Sequence, residues 1–176
     1  MVDLLHPKRL VEDAVYLGVL TARGLKPLSR LEYPVASPIV DVWSDLGLVI
    51  ARITRIARNG VQVCHLVLGR DAYLVDRYRE DFDGRPLRGE TPGIVRLEAR
   101  YFGYPACCAE AYISAPHAPN DLPSEDQALL FHRACPGCAV TPHLIPLYAA
   151  ALADAKRLLH APRHPGPEIS AQLTTV

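Results

Sequence analysis

The strongest constraint on how this chain can fold is the placement of its cysteines: Cys64 alone, the neighbours Cys107 and Cys108, then Cys135-Pro136-Gly137-Cys138. Twenty-six residues separate the tandem pair from the CxxC element. If those four sulfurs serve one site, the fold must bring two distant stretches face to face. Thiols grouped in this way, in a chain without an evident export signal, read as a metal or redox site.

The chain has 176 residues, 49% of them apolar, enough to bury one respectable core. Nineteen basic and nineteen acidic side chains cancel, which argues against a nucleic-acid or anionic-membrane partner on global charge and leaves only a local patch open. Asp3, Glu12 and Asp13 interrupt the first twenty residues. Neither a secretory core nor a membrane span is expected there, and a soluble, cytoplasmic protein is. Arg outnumbers Lys 16 to 3, and 16 prolines accompany a single Met. That bias suits a thermophile, and a GC-rich genome produces the same Arg and Ala excess.

Residues 8–23 place Leu10, Val11, Ala14 and Val15 at helical spacing, with Gly24 as a stop and Gly18 as a weak point. Pro27, Pro34 and Pro38 imply an ordered crossing segment rather than a regular element. Leu46–Ile56, Asn59-Gly60 and Val61–Leu68 spell a β-hairpin whose turn uses positive φ angles, and Ile39–Trp43 is expected to add a third strand. A short helix is expected over 71–82 and a loop over 84–93. Pro105 should open a helix reaching about Ile113. Ser124 and Gln127 read as a capping box for a helix to about Ala134. Thr141-Pro142 should start the longest helix, ending near His160, with Pro146 bending its first turn.

The expected fold is therefore α+β: a small antiparallel hairpin sheet packed by helices, with a helical cysteine-bearing C-terminal half. We expect one domain over residues 1–160, in which 1–93 hold the first helix and the sheet and 94–160 hold the cysteines. Residues 161–176 read as a flexible tail.

Cys107 and Cys108 fall in a first helical turn, where unpaired N–H groups and the helix dipole should favour thiolates. Pro136-Gly137 turns the chain so that Cys135 and Cys138 converge, the geometry that lets two sulfurs meet one metal. The four thiols are thus candidate ligands for zinc or for an iron–sulfur cluster. Adjacent ligands are uncommon in simple zinc sites, and the spacing matches neither common ferredoxin run. His132 and His143 lie three residues before and five after the CxxC and are further candidate ligands or supporting partners; His117 is a weaker one. Three other readings stay open: buried cysteines acting as small hydrophobes, disulfides pairing 107 and 108 with 135 and 138, and idle surface thiols. Cys64 reads as a packing residue.

Taken together, Phe102-Gly103-Tyr104-Pro105-Ala106-Cys107-Cys108, His132 and Cys135-Pro136-Gly137-Cys138 before a helix resemble a family of uncharacterised, mainly archaeal proteins. In that domain-of-unknown-function family a Gly-aromatic-Pro-x-Cys-Cys segment precedes a second paired-cysteine segment. The likeness spans roughly residues 98–155 and implies a shared cysteine site with no assigned activity. In cysteine order alone the chain also resembles the cysteine-rich domain of heterodisulfide reductase-like proteins, which implies an iron–sulfur cluster that handles thiols. Ala109 stands where that domain carries glycine.

Arg52, Arg55 and Arg58 recur on one strand of the hairpin, with Arg70, Arg77 and Arg79 beyond, a pattern that can meet RNA phosphates. Strand alternation turns Arg55 away from the other two, and Asp71, Asp76, Glu80 and Asp81 dilute the field. No phosphate-binding loop, nucleophile elbow or HExxH helix is present. Asp41 with Asp45, or Glu98 with Glu110, are acid–base pairs on paper only. The function expected is metal binding through the Cys-Cys pair and the CxxC. Thiol–disulfide or sulfur-transfer chemistry by low-pKa cysteines is the alternative, and an RNA-binding module with a structural metal a second one. Partners and oligomeric state are not legible.

Overall fold

The computed structural model describes residues 7–57, 59–87, 91–116 and 118–161. Its elements run α1 (Pro7–Ala22), β1 (Leu28–Leu31), α2 (Ser37–Asp45), β2 (Val49–Ile56), β3 (Gln62–Gly69), α3 (Ala72–Phe82), α4 (Pro92–Phe102), α5 (Ala106–Ser114), α6 (Ser124–Gln127) and α7 (Thr141–His160). This is an α+β fold with a small antiparallel sheet and a helical second half, as the sequence pattern indicates. The tail expected at 161–176 lies, from 162 on, outside the described residues. Among the described residues no helix is long and apolar enough to cross a membrane.

The sheet order is β1-β3-β2, with β3 central and both pairings antiparallel. Residues on a strand alternate between faces, so each strand feeds two cores. Leu31, Ile50, Leu66 and Leu68 face α1, α2 and α7, where Val15, Leu20, Trp43, Tyr148, Ala151 and Ala155 are buried. Leu28, Ala51, Ile53 and Val67 face the other way, onto Val75, Tyr78 and Phe82 of α3 and Tyr101 and Phe102 of α4. Because both faces are covered by helices, the strands are rich in Val, Ile and Leu instead of cleanly alternating.

The third strand is not where the sequence placed it. Ile39–Trp43 is helical: Ile39, Val42 and Trp43 recur at i, i+3 and i+4, Pro38 sits in the first turn, and all three apolar side chains are buried. The third strand is instead β1, cut from the proline-rich crossing segment. Pro27 and Pro34 flank its four residues without interrupting them, so the prolines bound the strand and do not forbid it. The hairpin connection also differs. Among the described residues of the connection only Gly60 takes a positive φ, 82°; Gly60 N donates to Ala57 O at 3.0 Å and Ala57 N to Val61 O at 2.8 Å, a longer loop than a two-residue turn.

Gly18 proves to be a fitted position. A Cβ there would lie 2.5 Å from Trp43 Cδ1, so glycine lets the indole lie against α1, where Trp43 Nε1 donates to Ala14 O at 3.1 Å. Residues 94–104, which carry no assignment from sequence, belong mostly to α4. Thr91 Oγ1 accepts from Ile94 N, Pro92 occupies the first turn and Gly103 ends the helix at φ 69°.

The expected helix from Ser124 to about Ala134 is one turn only. Ser124 makes no capping bond, and Gln127 is used elsewhere. Its Oε1 accepts from Asn120 Nδ2 and Ala134 N, and its Nε2 donates to His132 O. The Gln127 amide thus folds the 118–134 loop around itself, taking groups that a continuing helix would have paired internally. α7 runs unbroken through Pro146 to His160, as expected in extent.

Candidate metal centre

α5 begins directly after Pro105, whose carbonyl accepts from Cys108 N and Ala109 N at 3.0 and 3.1 Å. Proline fixes its own φ for the turn, and Cys107 and Cys108 follow in the first helical turn. The second element is a tight knuckle: Cys138 N donates to Cys135 O at 3.2 Å, Gly137 takes φ 63°, and Gly137 N donates to Asp121 Oδ2 at 2.7 Å. A side chain at 137 would be strained in this left-handed conformation. Three residues later α7 starts.

These elements bring the four sulfurs together. Cys107 and Cys138 Sγ lie 3.7 Å apart, Cys108 and Cys138 3.5 Å, Cys108 and Cys135 3.8 Å, and all four fall within 4.8 Å of one another. Such a group of soft ligands can hold a metal ion. Cys108 is buried and Cys107 exposed, so the centre is anchored in the protein on one side and open on the other. Cys64 is exposed on β3 and does not belong to the group.

Hydrogen bonds to the sulfurs are concentrated on Cys108 and Cys138. Cys135 N donates to Cys108 Sγ at 3.4 Å and Thr141 N to Cys138 Sγ at 3.3 Å. Thr141 Oγ1, wholly buried, is 3.2 Å from Cys138 Sγ, 3.6 Å from Cys108 Sγ and 3.2 Å from His132 Nε2. The protonation pattern departs from the one expected from the helix start. Burial pushes the Cys108 thiol up, and burial with the neighbouring thiols pushes Cys135 up to about 12. At Cys138 burial also acts upward but is overcome by hydrogen bonds from Thr141 and Val140, which bring it down to about 6. The donors that stabilise a thiolate thus come from the start of α7.

His132 is not among the mutually close ligand atoms. It touches the centre through Thr141, and desolvation, with a smaller push from Lys26, lowers it to about 4. His132 thus meets the sulfurs only through the Thr141 hydroxyl, the kind of indirect support that metal thiolates use. His143 is exposed on the first turn of α7 and contributes no atom to the group. His117 lies outside the described residues. Thr141 itself had no sequence signal beyond its place at a helix start.

The other constellations resolve as structure. Arg55 is 4% exposed and turned from Arg52, and its NH1 together with Arg30 NH1 and Tyr78 OH converges on Glu98 Oε1 at 3.2, 2.6 and 3.1 Å. Arg55 is therefore removed from any phosphate-binding surface, and Arg58 lies outside the described residues. Glu110 pairs instead with Arg96 on the surface.

Compared with family models, with curated proteins and with solved structures, the chain matches none.

Proposed function

We propose that Cys107, Cys108, Cys135 and Cys138 bind one zinc ion as four thiolates and that the ion is structural. The observation that carries this reading is the compactness of the sulfur group. A tetrahedral ion with metal–sulfur bonds of about 2.3 Å needs sulfurs about 3.8 Å apart. Three of the pairs here lie at 3.5 to 3.8 Å, and all four sulfurs fall within 4.8 Å of one another. In an iron–sulfur cluster the four thiolates are divided among two or four irons and do not all close around one point, so the compact group favours a single ion. Four protein ligands close the coordination sphere, which leaves no position for substrate and makes the ion a clamp between the starts of α5 and α7.

Elemental analysis of protein purified without oxygen tests the proposal. One zinc per chain, lost when Cys108 and Cys135 are both replaced by serine, is the expected result. Iron with acid-labile sulfide, or no metal after expression with ample zinc, would overturn it. Thiol–disulfide or sulfur-transfer chemistry is the second reading, favoured by the lowered Cys138 thiol and the exposed Cys107 3.7 Å from it. It predicts that alkylation after zinc removal proceeds at Cys138 well ahead of Cys64, and equal rates would dismiss it.

A further inference from the structure

Lys26, in the crossing between α1 and β1, is the one cation of the described core without a carboxylate partner. It is 2% exposed, and its Nζ makes a single hydrogen bond, to Phe102 O at 2.9 Å. An ammonium carries three donors, so the charged form here would leave two N–H groups without oxygen acceptors. Around the nitrogen stand three rings, Tyr104 at 4.4 Å, Phe102 at 5.8 Å and Phe131 at 5.9 Å to their centroids. Lys26 and all three rings line one cleft of about 380 Å³, with Leu17 and Leu31 adding apolar wall. Lys26 therefore lines a cleft large enough for a small aromatic molecule, given that a cavity of about 150 Å³ holds benzene.

We propose that this cleft binds small apolar aldehydes and that Lys26 Nζ captures them as an imine. An amine held away from water and from any counter-ion is the arrangement that makes lysine a nucleophile near neutral pH. Burial brings Lys26 down to about 7, so a large share of it is the free base there. In the capture step the Nζ lone pair forms a bond to the carbonyl carbon and a proton passes from nitrogen to the carbonyl oxygen. Loss of water then leaves the C=N bond, with no change of oxidation state and no other reactant. The walls carry two carboxylates, Asp13 and Glu32, against one guanidinium, Arg30, which is already paired with Glu32 and Glu98, so they disfavour an anionic guest.

The chain contains only three lysines, and Lys8 and Lys156 are exposed, so each protein molecule carries its own controls. The test is benzaldehyde with sodium cyanoborohydride at pH 7 on the full chain, followed by peptide mapping at several times. The reductant delivers hydride to the imine carbon and fixes the adduct as a secondary amine. An ordinary lysine with pKa about 10.4 is less than a thousandth free base at this pH. We expect Lys26 to be modified at least tenfold faster than Lys8 and Lys156, and the preference to shrink with the anionic aldehyde glyoxylate. Modification of Lys26 no faster than the other two overturns the proposal, and a larger preference with glyoxylate overturns the assigned substrate class. The readout needs neither a variant nor the metal, so it stands or falls separately from the zinc proposal.

Discussion

Replacing Glu98 by alanine gives the sharpest test of the packing between β1, β2 and α4. The carboxylate accepts from Arg30 NH1, Arg55 NH1 and Tyr78 OH through one oxygen, and the side chains of Arg55, Glu98 and Arg30 are only 5, 14 and 17% exposed. Removing one member of a buried ion pair costs about 3–5 kcal/mol, because the charge left behind has lost its partner and cannot reach water. Here the penalty is tempered. Arg30 keeps Glu32, and Arg55 keeps the carbonyls of Arg85 and Pro86. We therefore expect a loss of about 3–4 kcal/mol. For a chain of this size that corresponds to a fall in Tm of roughly 6–16 °C. Urea unfolding followed by far-UV circular dichroism measures it. Replacing Arg55 and Glu98 together by methionine should cost less than the sum of the single changes, since no orphaned charge remains at that pair. A loss below 1 kcal/mol for Glu98→Ala, or strict additivity in the double variant, would refute the claim that the network is a coupled buried unit.

Three further outcomes follow from the same geometry. Thr141→Val removes the hydroxyl shared by Cys138, Cys108 and His132, and should weaken zinc binding by about 10- to 100-fold in competition with a chromophoric chelator; a change under threefold would remove Thr141 from its supporting role. Gly18→Ala drives a methyl into Trp43 and should destabilise by about 1–3 kcal/mol with an altered near-UV tryptophan signal, and a neutral effect would show that the indole has room to move. Lys26 has a folded pKa of about 7 against an ordinary 10.5, so the unfolded chain binds the extra proton between those values and stability should rise with pH across that window. The penalty is complete below about pH 7, and in the difference between wild type and Lys26→Met the slope should approach about 1.4 kcal/mol per pH unit; a flat difference would contradict a buried, unpaired amine.

What the sequence made legible follows the range of the forces involved. The hairpin, α3, α5 and α7 announce themselves through neighbours: alternation around Asn59-Gly60, Asp71 before an amphipathic helix, Pro105 before Cys107, Thr141-Pro142 before a long apolar run. The convergence of the two cysteine elements was legible too, because the choice of ligand types implies a shared target. β1 was not, since its four residues are a strand only through pairing with β3, about forty positions away. The mistaken strand at Ile39–Trp43 came from reading β-branched composition ahead of the i, i+3, i+4 spacing in the same residues. Gln127 carried a correct capping signature that the loop claimed for a different purpose. The surroundings of Lys26 combine the end of α4, Tyr104 and Phe131, and no local pattern joins segments so far apart.

The docking of α7 on α1 carries a kinetic consequence. Tyr16 OH reaches Leu129 O across 113 positions, and the buried face of α7 meets α1 over a still longer stretch of chain. The sulfurs of Cys108 and Cys138 are only 30 positions apart. Closing the shorter loop forfeits less chain entropy, and each doubling of length adds only about 0.6 kcal/mol to that loss while slowing the search. On chain entropy alone the thiol-bearing segment is the easier one to close, and the docking of α7 on α1 is the costlier closure.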